Sequence, residues 1–302
     1  MPEPAVNIPD RGTLGLDLGG TSTKLVVLDA NGGVLARHQS PSYARPGEDE
    51  LAETLRRLIA DAGLTSRPTS VGLCLPGQFE PDGVTVRYAA NLPGLSGLHV
   101  PTLVGRVLGG ELDRLTIVPD AQAAAMGSWQ NSPHPGRLLA ISLGTGVGAS
   151  LLVGGCPVML APGTVGHLGQ IDVSLSPDAP TGPDGGRGSL EAYIGLPVLR
   201  ARFGESSDSV TAGIAAMPDD DPALLALARA LRIAHAIYTP DSIRMLGGIG
   251  IALQPKAAAI KAMVDCDLTA VANPNWELTA ENDAYLAALG AAFGAAVSAS
   301  NA

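Results

Sequence analysis

Short apolar runs alternate with glycine-rich breaks along this chain. Leu14–Leu18 and Leu25–Leu28 are leucine- and valine-rich segments of strand length on either side of Gly19-Gly20-Thr21. Asn31-Gly32-Gly33 reads as a turn and Val34–Arg37 as a third strand. Glu48–Ala62 carries apolar residues at helical spacing and stops at Gly63. Ser70–Leu75 predicts a strand ended by Pro76-Gly77, and Asn91-Leu92-Pro93-Gly94 a loop. Leu115–Val118 predicts a strand ended by Pro119-Asp120, with an alanine-rich helix following over Ala121–Trp129. Further on, a strand over Leu138–Leu143 runs into the glycine stretch Gly144–Gly148, then a strand over Ala149–Val153 and a turn at Gly154-Gly155. Asp172–Gly188 is rich in Pro, Gly and Asp and reads as a loop. Helices are expected over Ser189–Phe203, Pro222–Ala236, Lys256–Met263 and Asn282–Val297, with a short strand, Ser242–Leu246, ahead of Gly247-Gly248.

One pattern occurs twice. Asp17–Val34 and Ser142–Val158 both read strand, glycine-threonine loop, strand, glycine turn. A repeated unit implies two similar lobes, each opening with a hairpin over a small loop. The aspartate is present only in the first copy; Ser142 stands in the second. The two loops therefore have related but unequal tasks.

Composition narrows the class. The chain has 302 residues, 46% hydrophobic and 16% charged, which is enough for a substantial core and too apolar for disorder. The formal net charge is −10 with no Lys/Arg cluster, which argues against a nucleic-acid partner. The three cysteines, Cys74, Cys156 and Cys266, are scattered, which fits a reducing cytoplasm and not a disulfide framework or a thiolate zinc site. The first residues, MPEPAVNIPDRG, have no basic and apolar regions of a signal peptide, and no run long enough for a membrane span occurs.

The candidate chemistry sits at strand and loop ends. Backbone N–H groups in a tight glycine turn, with threonine hydroxyls, suit anionic oxygens, and two such loops with like flanks weaken the reading of ordinary hairpin turns. Neither loop is a Walker A sequence, and neither opens a helix as a dinucleotide fingerprint would. Asp17 ends an apolar strand, where a carboxylate needs a partner or a cation; beside a phosphate loop that cation is Mg²⁺, usually through water. The ordinary alternative is a strand-end hydrogen bond. Asp120 stands between strand and helix, as an N-cap or as a general base that takes a hydroxyl proton. Asn91 is commonplace before a turn, His167 is commonplace in a loop, and Glu191 suits the first turn of a helix.

Taken in order, these stretches resemble the ROK family of sugar kinases within the actin-like ATPase superfamily. LGLDLGGTSTKLVVLD resembles the family's first phosphate motif and LLAISLGTGVGASLLVGG the second. GLCLPGQFEPDGVTVRYAANLPGL resembles the segment leading into the sugar loop, TIVPDAQAAAMG the segment carrying the catalytic aspartate, IRMLGGIG the adenosine-side glycine pair, and NDAYLAALGAAFGAA the terminal helix. The resemblance implies an α/β chain of two lobes with duplicated mixed sheets (a ribonuclease H-like fold). The expected small N-terminal lobe covers residues 1–119 joined by a helix at about 285–302, and the larger lobe covers 120–284, with a cleft between them. It implies phosphorylation of a hydroxyl on a hexose or sugar-like polyol by ATP with Mg²⁺, in a cytoplasmic homodimer. Asp120 matches the base and Asp17 the Mg²⁺-side aspartate. Gly19, Gly20, Thr21, Thr23, Lys24, Gly144, Thr145, Gly146, Gly247 and Gly248 match nucleotide contacts. Pro76, Gly77, Asn91, Asp120, His167, Gln170 and Glu191 match the acceptor side.

The sequence departs from the family at three places. Pro119-Asp120-Ala121-Gln122 replaces Asn-Asp-Ala-Asn. His167 and Gln170 stand where the family has a sugar-binding Glu and a sugar- and zinc-binding His. The family's zinc segment has no counterpart in Asp172–Gly188, so no structural zinc is expected. An imidazole in place of a carboxylate changes which hydroxyl groups are matched, so the acceptor need not be glucose. The rival reading is a non-catalytic sugar sensor of the same family. The DNA-binding helix-turn-helix of such members has no room ahead of Asp17, and retention of Asp17, Asp120 and both loops speaks for catalysis.

Overall fold

The computed structural model describes residues 12–300 except 21, 44–45, 65–67, 69, 90–91, 111, 161–165 and 175. Its elements run β1 (Thr13–Leu18), β2 (Thr23–Leu28), β3 (Val34–Gln39), α1 (Glu48–Asp61), β4 (Ser70–Leu75), β5 (Gln78–Phe79), β6 (Val86–Tyr88), α2 (Val100–Leu108), β7 (Arg114–Pro119) and α3 (Asp120–Gln130). They continue β8 (Arg137–Leu143), β9 (Val147–Val153), β10 (Cys156–Pro157), α4 (Leu190–Ile194), α5 (Leu196–Phe203), α6 (Ser207–Ala216), α7 (Pro222–Tyr238), β11 (Ser242–Leu246), α8 (Gly247–Ala252), α9 (Ala257–Asp265), β12 (Glu277–Ala280) and α10 (Leu286–Ser300). The chain divides into two compact units, Met1–Asn131 with Ala284–Ala302, and Ser132–Asp283. Among the described residues no helix is long and apolar enough to cross a membrane.

The repeat seen in the sequence recurs as topology. The first unit has a five-stranded sheet in the order β3-β2-β1-β4-β7, the second one in the order β10-β9-β8-β11-β12. In each, an antiparallel three-strand meander is extended by two parallel strands. The equivalence holds residue by residue: Asp17 pairs with Lys24 and Cys74, and Ser142 with Gly148 and Leu246.

In the first unit the pleat sorts side chains to two faces. Leu14, Leu16, Leu18, Leu25 and Val27 join the core that contains Leu51, Leu55 and Leu58 of α1. Val26 and Leu28 face the other way, onto Ala288, Leu289 and Ala292 of α10. On that second face the backbones nearly touch. A Cβ added to Gly15 would lie 2.0 Å from the Ala288 carbonyl oxygen, and one on Gly72 would lie 1.8 Å from that of Ala291. The same contact ties α3 to α10, with a Cβ at Gly127 falling 2.0 Å from Leu286 O and one at Gly290 falling 1.8 Å from Ala123 O. The second unit has its own core, in which α7 buries Leu224, Leu227, Leu231 and Ala234 beside Leu139, Ile141 and Ile243 of the sheet.

Some expectations need correction. The helix expected over Ser189–Phe203 is two helices, because Gly195 adopts an extended backbone (φ −62°, ψ 149°) and Pro197 follows at the start of the next helix. The helix expected from Ala121 begins at Asp120, with Pro119 in the N-cap position. Helix α2 is not among the expected elements, although Val100, Leu103, Val104, Val107 and Leu108 recur at helical spacing, because the run is short, opens on His99-Val100-Pro101 and ends at Gly109-Gly110. Helix α6 and strands β5, β6 and β12 are small-residue or very short segments with no strong periodicity.

Replacing Gly72 by Ala should lower unfolding stability by about 1–3 kcal/mol or more, since a carbonyl and not a flexible side chain blocks the methyl. Gly105→Ala, inside α2 where an added Cβ would come no nearer than 3.8 Å to the Gly110 carbonyl, should instead raise stability by about 0.5–1 kcal/mol. Urea unfolding of the two variants tests the contrast.

Candidate active site

The parallel strands β1, β4 and β7 end at one edge of the first sheet, the edge where open α/β sheets hold ligands. Asp17 pairs with Cys74, Cys74 with Val118, and Leu75 with Pro119. Two strand spacings put Asp17 about 10 Å across the sheet from the end of β7. Asp120 follows at that end and is exposed, its Oδ1 accepting the Ala121 N–H at 2.8 Å. Pro76-Gly77 leaves β4 between them, and the φ of +138° at Gly77 belongs to glycine; a Cβ there would meet Tyr88 O at 2.5 Å.

Asp17 is only 8% exposed. Its Oδ2 takes the Lys24 ammonium at 3.3 Å, and the Cys74 thiol donates to Oδ1 at 3.6 Å. Burial pushes this carboxyl above its ordinary value, the Lys24 charge draws it back, and the negative charge of Asp120 adds to the rise. Burial, with the Asp17 and Asp120 charges, also keeps the Cys74 thiol protonated, well above its usual range. The Lys24 contact is longer than a closed ion pair, and the site is a buried carboxylate at a strand edge with a second carboxylate nearby. These residues fit a hydrated divalent cation, which is typically held through one or two carboxylates.

The loop between β1 and β2 has a buttress that sequence reasoning missed. The Tyr43 hydroxyl donates to the Gly19 carbonyl at 2.7 Å and lies 3.0 Å from Thr23 Oγ1. The Thr23 N–H donates to Ser40 Oγ at 2.9 Å. Thr23, fully buried, is thus engaged inside the protein. Tyr43 lies in the stretch SPSYARPG, which has no local signal of a role. Gly20 is half-buried at the turn itself; Thr21 and Asn91 lie outside the described residues.

The second unit draws its candidate residues around the loop after β8. The Gly144 N–H donates to Gly146 O at 3.0 Å, and the Leu196 N–H donates to Gly144 O at 2.9 Å. Glu191, buried, accepts the Val147 N–H at Oε2 over 2.7 Å and stands 2.6 Å from where a Gly146 Cβ would be. The turn Leu168–Gln170 presses on the same residue, a Cβ on Gly169 falling 2.3 Å from Val147 O. Gly247, at φ +81°, lets the β11–α8 turn pass beside Leu143 O, where a Cβ would sit at 2.5 Å. Beside Gly144 and Gly248 a Cβ would meet no described residue within 4 Å. Thr145 lies exposed between the two loop glycines.

His167 is exposed at the start of that 3₁₀ turn. Gln170 turns to the loop beyond it: its Nε2 donates to Asp184 Oδ2 at 3.0 Å. The loop is closed further by the Arg187 guanidinium on Pro177 O at 2.8 Å and by an antiparallel bridge between Asp172 and Ser189.

With this geometry in place, comparison with known proteins is informative. The ROK family model matches residues 13–300. A glucokinase of Thermotoga maritima is 24% identical over 195 residues, covering 64% of this chain and 60% of the relative. An N-acetylmannosamine kinase of Escherichia coli K12 is 29% identical over 201 residues, covering 64% and 65%. The chain thus spans under two thirds of the length of the curated relatives it matches. The crystal structure of a ROK hexokinase from Thermus thermophilus superposes with a TM-score of 0.75 at 22% identity, over 96% of this chain and all of that one. At that identity the likeness concerns the fold: the mixed α/β sheets are those of the actin-like ATPase fold.

Lys24→Met removes the nearest cation from Asp17, so its folded-state value rises further above the unfolded one. A carboxyl shifted upward on folding costs stability once the pH exceeds its unfolded value of about 3.9. The variant should therefore be less stable than the parent by about 1–3 kcal/mol at neutral pH, and the gap should close towards pH 4. Chemical denaturation at both pH values measures it; a gap that ignores pH would mean that Lys24 acts through packing alone.

Proposed function

This chain belongs to the ROK family, and from that premise we propose that it is a sugar kinase, moving the γ-phosphoryl group of ATP to a hydroxyl of a hexose or related polyol. The observation that carries the reading is the exposed Asp120 carboxylate at the edge of the sheet that also holds the buried Asp17. Relatives named as glucokinase and N-acetylmannosamine kinase support hexoses and their derivatives as the acceptor class.

In this reading Asp120 orients the acceptor hydroxyl and takes its proton as the oxygen attacks the γ-phosphorus in line and ADP departs. The N–H groups of Thr145 and Gly146, which donate to no described residue, face the phosphates, and the open space at Gly144 and Gly248 admits the nucleotide. Glu191 and Tyr43 each hold one glycine loop in shape before the nucleotide arrives, so little reorganisation accompanies transfer. Mg²⁺, held on the Asp17 side, would supply neutralisation of phosphate charge. Lys24, whose ammonium meets the Asp17 carboxylate, draws that carboxyl's pKa back against the larger upward push of burial. His167 and Gln170 stand on the acceptor side, and an imidazole there in place of a carboxylate selects a different hydroxyl pattern. The reading takes the enzyme to work in the cytoplasm, where its three unpaired thiols stay reduced, and as a homodimer, as the family resemblance implies.

An ADP-release assay across glucose, mannose, N-acetylmannosamine and polyols should find turnover with at least one; ligand-induced thermal stabilisation without turnover on any of them would make the protein a sensor instead. Asp120→Asn should keep acceptor binding and lose about 10²–10⁴-fold in kcat. Gly144→Ala should unfold at the parent's temperature yet raise KM for ATP several-fold, a split that a merely structural glycine would not produce.

A further inference from the structure

The second unit carries a basic hollow along α7 whose lining includes no residue of either glycine loop. Arg229, Arg232 and His235 recur at i, i+3 and i+6 along the helix, each a neighbour of the next. With Asp267 they line a hollow of about 430 Å³. An adjoining hollow of about 590 Å³ shares Arg229, Arg232 and Asp267 and continues over Tyr193, Leu225 and Met263.

Two features of the wall are left unmatched by the protein itself. His235 is 1% exposed, yet among the described residues neither ring nitrogen has a hydrogen-bond partner. Its ring meets Trp276 edge-on, with centroids 4.6 Å apart, and Trp276 in turn bonds Asp265 at 2.8 Å. A buried imidazole with both nitrogens idle is costly, and such groups usually have a partner. The second feature is charge. Arg232 Nη1 donates to Asp267 Oδ2 at 2.8 Å, which accounts for the one carboxylate among the described residues of the wall. Arg229, half-buried, has no hydrogen bond or ion pair among the described residues. A cationic surplus at a concave spot is conspicuous in a chain of net charge −10.

We propose that the two hollows together bind a small molecule with a phosphate head and an apolar body. The phosphate sits at Arg229 and Arg232, whose guanidinium forks match its oxygens, beside the buried ring of His235. The body lies along Tyr193, Leu225 and Met263. Its lining shares no residue with the loops that the kinase reading uses, so it stands or falls independently of that reading.

The full chain carrying Trp129→Phe has Trp276 as its single tryptophan, a reporter that touches His235. Titrations at constant ionic strength use phenyl phosphate, inorganic phosphate and phenol. Phenyl phosphate should change the Trp276 emission saturably, inorganic phosphate should bind at least about tenfold more weakly, and phenol should have no effect. Arg229→Gln with Arg232→Gln should weaken phenyl phosphate at least about tenfold, and Arg229→Lys, which keeps the charge but loses the fork, should fall between. Circular dichroism establishes that each variant is folded. No saturable change in the folded parent, an equal response to phenol, or an unaltered response in the folded double variant overturns the proposal. So does a double variant whose sedimenting mass falls while phenyl phosphate binds neither protein, since the hollows would then be a contact between copies of the chain.

Discussion

The first unit depends on how closely α10 lies against the sheet and α3. Four glycines, Gly15, Gly72, Gly127 and Gly290, remove the side chains that would hold these backbones apart, and each would drive a Cβ to 2.0 Å or less from a facing carbonyl oxygen. At such separations the contact is backbone against backbone, and no rotamer change relieves a clash. It also anchors α3, and α3 is the helix whose first residue is Asp120. The placement of the candidate base thus rests on packing made by the last helix of the chain. Along β1 and β4 the next positions on the face of Gly15 and Gly72 are Asp17 and Cys74. Where glycine gives way to a side chain on this face, the packed region gives way to the polar one.

The two sheets use one topology for different ends. Asp17, Lys24 and Cys74 form a charged cluster in the first; the equivalent Ser142, Gly148 and Leu246 carry no charge in the second. A buried carboxylate is tolerable where a lysine faces it across the ladder, and only the first sheet has one. In the second, the acidic group comes from outside the sheet. Glu191 reaches in from α4 and is held by a backbone N–H, its neutral donor in place of an ammonium. The first loop is shaped by a tyrosine hydroxyl on a carbonyl, the second by a carboxylate on an N–H. Both solutions satisfy backbone groups that a glycine turn leaves open.

Much of the fold was legible because the relevant signals are local. Apolar strands ended by Gly or Pro mark β1, β4, β8 and β11 to within a residue or so, and the doubled strand–loop–strand pattern announces the shared topology. Glycine loops and strand-end carboxylates point to phosphate chemistry without any contact being known. Legibility fails where the decisive partner is distant in sequence. Tyr43 acts on Gly19 from 24 residues away, Cys74 on Asp17 from 57, and Glu191 on Val147 from 44. The break at Gly195 could be suspected from Pro197, yet its position is set by the Leu196 N–H reaching the Gly144 carbonyl. The sequence by itself determined the elements, the repeat and the chemical types at the strand ends, since periodicity and turn residues act over a few positions. Only the tertiary structure decided which of those groups are buried, paired or left open, because burial and pairing depend on atoms that folding brings together from far along the chain.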